Sequence, residues 1–183
     1  MAVPASQNRL FDSLRATLAA CATFRRLVDA DSPAEAHASI YDRFVRDEYA
    51  PDTDMTDKTR QPLDPYPRAV LVDGEVSTRI EGQLSLSGGG QMGIFLEFKQ
   101  FSAEELTAWY GVDVGTPTES DHLVHADNLR VALRNEILDV SREADLLTIT
   151  RLVDQSMGML DPKQRGNLDV WVIAFLIDWE GLP

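Results

Sequence analysis

Cysteine occurs once in the 183 residues, as Cys21. A single thiol excludes a disulfide framework within the chain, and with it a zinc site built from cysteines. Histidine is scarce too, with only His37, His122 and His125. Basic residues number 17 against 30 acidic ones, a net charge of −13. That balance argues against a non-specific grip on nucleic acid, because such affinity comes from clustered Lys and Arg on phosphates. No apolar run approaches the roughly 20 residues that span a bilayer, so no membrane partner is expected. The opening Met1-Ala2-Val3-Pro4 lacks a basic region followed by an apolar stretch, so no secretory leader is expected. No Asn-x-Ser/Thr acceptor is present. These absences place the chain in a reducing interior, or in a larger assembly built there.

What remains is ordinary for a globular chain, with 44% apolar and 26% charged residues. The length suits one domain over residues 1–183, large enough to bury a core without metal or disulfide. Residues 8–28 read as an amphipathic helix, with Leu10, Leu14, Leu18, Cys21, Phe24 and Val28 recurring at three or four. Ser32-Pro33-Ala34-Glu35 opens a second helix that carries Ala36 and Ile40, with Ser32 as cap and Pro33 in the first turn. Residues 47–67 then break the pattern with four prolines and six acids (Asp47, Glu48, Asp52, Asp54, Asp57, Asp64), giving a long acidic loop. A loop of that length inside a compact domain is generally functional or disordered.

Strand signals follow. Arg68 to Val72 is a short apolar run. Val76, Thr78, Ile80, Leu84 and Leu86 alternate with polar residues, Gly88-Gly89-Gly90 reads as a turn, and Met92 to Phe98 returns. Together residues 75–98 read as a projecting hairpin arm with a glycine tip. A capping box at Ser102 opens a short helix to about Tyr110, and Thr118 or Ser120 opens the longest helix, to about Ala144. Its apolar stripe is Leu123, Ala126, Leu129, Leu133, Ile137, Val140 and Ala144. A strand over 146–153 and a last strand over 168–179 close the chain. The last one is apolar on both faces, so both faces need cover. The expected fold is α+β, a largely antiparallel sheet with helices on one face.

The sequence offers no catalytic set. Gly88 to Gly93 matches G-x-G-x-x-G formally, but a strand follows where a dinucleotide site needs a helix. His122 and His125 lack a third metal ligand and read as part of a solvated helix face. Cys21 sits on an apolar stripe without a base and reads as a small buried thiol. The chain is therefore expected to be no enzyme and to carry no cofactor and no metal.

The order and spacing of segments nevertheless resemble a known family. They are Leu14-Arg15-Ala16-Thr17-Leu18-Ala19 running into Phe24-Arg25-Arg26-Leu27-Val28, then Ala38-Ser39-Ile40-Tyr41 and Tyr66-Pro67-Arg68-Ala69-Val70. Gly93-Ile94-Phe95-Leu96-Glu97-Phe98 follows, then Ala126-Asp127-Asn128 with Ile137, Leu147-Thr148-Ile149, Asp169-Val170-Trp171 and Ile177-Asp178-Trp179. The layout is similar to that of the tail terminator, or tail completion, proteins of long-tailed bacteriophages. The resemblance implies a structural virion protein, assembled in the host cytoplasm and resident in the tail or neck. It implies a homohexameric ring that caps the tail tube, with the tail tube protein and a head-completion or neck protein as partners. DNA would pass the lumen without specific binding. Residues 47–64 and 111–117 depart from that layout. The alternatives are another neck or tail component, such as a head-completion protein or tail-tube subunit, and a small-molecule-binding α+β domain. On the ring reading, subunit contacts are expected from Val76, Ile80, Leu84 and Leu86 of the hairpin and from Trp171, Phe175 and Trp179 of the terminal strand.

Overall fold

The structure, a computed structural model, describes residues 5–42, 66–81, 85–143, 148–159 and 170–181. The acidic stretch over 47–64 and the interface candidate Leu84 lie outside the described residues. For Val76, Ile80 and Leu86 the backbone alone is described.

The helical layer begins with α1 (Ala5–Ala20) and α2 (Ala22–Leu27). The periodicity predicted one helix here, but the chain breaks at Cys21, whose backbone is extended (φ −64, ψ 124). The apolar stripe continues through the break, which is why the sequence hides it: Leu14, Leu18, Cys21 and Phe24 are all buried. Ser32 caps α3 (Pro33–Ala36) as expected, its side chain accepting from the Glu35 amide. The helix is shorter than predicted, however. A 3-10 turn at 37–39 leads into strand β1 (Ile40–Asp42), so Ile40 belongs to the sheet.

Among the described residues, four long strands complete a five-stranded sheet: β2 (Arg68–Glu81), β3 (Ser85–Lys99), β4 (Thr148–Met159) and β5 (Val170–Gly181), in the order β1-β2-β3-β5-β4. Of the described pairings, β1–β2 alone is parallel, through Ile40↔Ala69, Tyr41↔Val70 and Asp42↔Leu71. The other three pairings are antiparallel, in agreement with the predicted α+β class.

The hairpin differs from expectation in one respect. Gly88-Gly89-Gly90 is not its tip. These residues run inside β3, where Gly88 pairs with Thr78 on one side and with Gly181 on the other. The last described pair of the ladder is Glu81↔Ser85. A glycine run signals a turn when read alone. In an interior strand it can instead admit close neighbours on both sides. Further along the same strand, a Cβ at Gly93 would lie 3.0 Å from the ring of Phe95 two residues on.

Helix α4 (Ala103–Tyr110) carries the expected capping box between Ser102 and Glu105, and Gly111 ends it in the left-handed region (φ 70). Helix α5 (Glu119–Glu143) matches the predicted long helix. Its buried stripe is shifted, however. Ala126, Leu129, Leu133 and Ile137 are interior, whereas Leu123 is 48% exposed, and His122 and His125 are buried in its place.

All of this builds one core between the helices and one face of the sheet. Leu14, Leu18, Phe24, Leu129, Leu133 and Ile137 meet Leu71, Ile94, Leu96, Phe98, Ile173 and Phe175. Each such side chain contributes roughly 1.5–3 kcal/mol when fully buried. Trp171 (6% exposed) and Phe175 (1%) belong to this core, and Trp179 packs against its margin. The alternate positions, Val70 and Ala174, occupy the opposite face together with the cross-strand pair Arg68↔Glu97.

Candidate functional site

The densest polar chemistry among the described residues lies where α2, α4 and α5 meet. It starts with the broken helix. Cys21 occupies the N-cap of α2, yet its side chain makes no cap bond. Glu136 of α5 does so instead, receiving the Thr23 amide at 2.9 Å and the Thr23 hydroxyl at 2.6 Å. The carboxylate thus sits at the positive end of α2, where helix dipole and orphan amides favour it.

One turn along α2, the Arg26 guanidinium lies 4.1 Å from the centroid of the Trp109 ring. Its Nη2 donates to the carbonyls of Ala108 (3.0 Å) and Trp109 (2.8 Å) at the C-terminal end of α4. A cation stacked on an indole while satisfying helix-end carbonyls is a favoured arrangement. Arg26, Trp109, Thr23, Asn128 and Ala132 line an open cleft of about 320 Å³ between the three helices.

Behind the cleft His125 is 2% exposed. Phe101 lies against its ring at 4.4 Å, and Trp109 and Tyr110 approach edge-on at 5.3 and 5.5 Å. Tyr110 Oη is 2.8 Å from Nδ1, and Asn128 Nδ2 donates to that same Tyr110 oxygen at 3.2 Å. The expectation of a solvated histidine pair is therefore corrected. The aromatic side chains of α4 and of the segment before it supply the cover, and nothing in the spacing on α5 announces them.

Burial pushes the Cys21 thiol up to about 12, with the nearby Glu136 carboxylate adding to the effect. It is protonated and inert near neutrality. No group of three or more His, Cys, Asp or Glu suited to a metal occurs among the described residues. No helix among them is long and apolar enough to cross a membrane.

The second feature of note is the paired strand system. β3 is bonded on both sides, to β2 from Arg68↔Glu97 to Glu81↔Ser85 and to β5 from Gly88↔Gly181 to Lys99↔Val170. A further tie joins the layers. Arg130 of α5 binds Asp127 at 2.7 Å and also Asp154 of β4, and the two carboxylates hold its guanidinium firmly in the charged form.

No protein-family model matches the chain, and no curated protein matches it. Among solved structures, it is similar to a chain of the virion of the native gene transfer agent particle, at 12% identity and a TM-score of 0.41, over 98% of this chain and 100% of that one.

Proposed function

We propose that the chain is a non-enzymatic structural protein of a phage-type virion, a ring-forming tail terminator that caps the tail tube and joins it to the head. The observation that carries this reading is the β2–β3 hairpin. Its strands are 14 and 15 residues long, roughly 45–50 Å at strand rise, while the edge strand β1 has only three residues. Among the described residues β1 pairs with residues 69–71 of β2; beyond it the hairpin continues with β5 alongside β3 as far as Gly88, and its last three pairs, from Arg79↔Ser87 to Glu81↔Ser85, reach past β5. An arm of that kind suits a head-to-tail contact, which closes into a ring when its rotation closes. The order of elements, from opening helices through the long hairpin and long helix to two closing strands, agrees with the layout that the sequence resembles. The net charge of −13 suits a wall past which DNA slides without sticking.

The test is the mass of the purified protein in solution, together with class-averaged electron micrographs. The reading expects rings, six subunits being the expected number. Their loss on replacing Val76, Ile80 and Leu86 together by Ser, with helical and strand content kept, would assign the contact to the arm. A monomer at all concentrations, with no ring on addition of a tail tube, would end the proposal.

A further inference from the structure

Two imidazoles are buried among the described residues, His122 and His125, and the surroundings of His125 are unusual. Among the described residues, the hydrogen bonds and ring contacts that hold α4 to the helical layer run through three side chains: Arg26 of α2, and His125 and Asn128 of α5. Leu106 adds the one buried apolar anchor of α4. On its C-terminal side α4 is followed by Gly111 (φ 70) and Gly115 (φ 65), both in the left-handed region that glycine enters without strain.

We propose that α4 is a conformational latch, pinned to α5 by neutral His125 and released when that imidazole takes up a second proton.

The surroundings of the ring set the direction of the effect. Tyr110 Oη and His125 Nδ1 are hydrogen-bonded at 2.8 Å, and Asn128 donates to the same Tyr110 oxygen. Nε2 is buried and has no hydrogen-bond partner among the described residues. A second proton makes both ring nitrogens donors, so Nδ1 can no longer accept from Tyr110 and the cation's Nε2–H has no acceptor. The titratable and charged groups facing the ring are Arg26 from α2, His122 from the preceding turn of α5 and the Tyr110 hydroxyl from α4. None is a carboxylate, and no carboxylate bonds the ring among the described residues. Burial first, then His122 and Arg26, pull the imidazole down to about 4 from its ordinary 6.5.

The sign follows from that depression. The docked state binds fewer protons than the released one between these two values, so docking is at full strength above pH 6.5 and weakens as pH falls. The limiting slope is a tenfold loss in the docking constant per pH unit.

The test is amide exchange on the whole chain between pH 7.5 and 4.5, with rates corrected for intrinsic chemistry, read separately for α4 and for Ile173 and Phe175 in β5. Protection of α4 should fall toward tenfold per pH unit below 6.5 while β5 holds. His125→Gln, which keeps an acceptor and cannot titrate, should flatten the α4 profile. Tyr110→Phe, which removes the bond to the neutral ring, should raise the pH at which α4 opens. Independently, the His125 ring carbon resonance should titrate well below 6.5 in the wild-type chain. A wild-type α4 profile independent of pH overturns the proposal. So does an unchanged slope in His125→Gln, joint loss of α4 and β5, or an imidazole that titrates at its ordinary value.

Discussion

The Glu136 carboxylate on α5 caps α2 across 113 residues of sequence, holding both the amide and the hydroxyl of Thr23. It joins the break in the first helix to the longest helix of the chain. A six-residue helix is too short to persist alone, so its stability comes from such ties and from burial of Phe24 and Leu27.

Replacing Glu136 by Ala should therefore cost about 1–2 kcal/mol, the usual range for a lost cap. For a chain of this length that is a fall in Tm of roughly 2–8 °C. Thermal melts monitored by circular dichroism provide the check, and Glu136→Gln should recover part of the loss by accepting one of the two bonds.

Cys21 should resist alkylation in the native chain and react fully once unfolded, since it is 1% exposed and its thiol is raised to about 12. The unfolded thiol ionises near its ordinary 9.0 while the native one stays protonated, so the native state holds more protons between those values. The stability that this group contributes is present below pH 9 and declines as pH rises toward 12. Cys21→Ala should remove that alkaline decline, as seen in urea melts between pH 8 and 10.

On the sheet face opposite the helices, Arg68 and Glu97 form an ion pair at 2.7 Å with side chains 4% and 2% exposed. Breaking it from one side takes this ion-pair partner from a buried charge, so Arg68→Met or Glu97→Leu alone should destabilise by about 3–5 kcal/mol. The double replacement should cost much less than the sum. Denaturant melts of the four proteins in the cycle give the coupling.

The displaced stripe of α5 predicts a contrast between two leucines. Leu133 is wholly buried, so Leu133→Ala should cost about 2–5 kcal/mol. Leu123 is 48% exposed, and Leu123→Ala should stay within about 0.5 kcal/mol of the parent. Equal losses in urea denaturation would contradict the placement of this helix.

Much of the fold was legible because it follows from local signals. The Ser32 and Ser102 caps, the long helix to Glu143 and the α+β order all come from spacing and end chemistry. What escaped depends on distant partners. The break at Cys21 is stabilised by Glu136, far along the chain, and the strand at 40–42 exists because β2 offers it an edge. Gly88 to Gly90 carry turn chemistry, but two neighbouring strands outvote it. The candidate site was legible only in its parts. Trp109, Tyr110 and His125 stand in separate segments, and sequence spacing cannot show that a short helix folds its rings over a histidine on a long one.

The position of β5 bears on how the molecule comes into being. It lies between β3 and β4, although it is last in sequence, and β4 has no other sheet partner among the described strands. A chain under synthesis can form its opening helices and the β2–β3 hairpin early. It must then hold Ile94, Leu96 and Phe98 beside a missing strand until residues 170–181 emerge. The nascent protein thus passes through a stage with an open apolar seam in its middle. That seam is where chaperone engagement, or mispairing between crowded nascent chains, should concentrate.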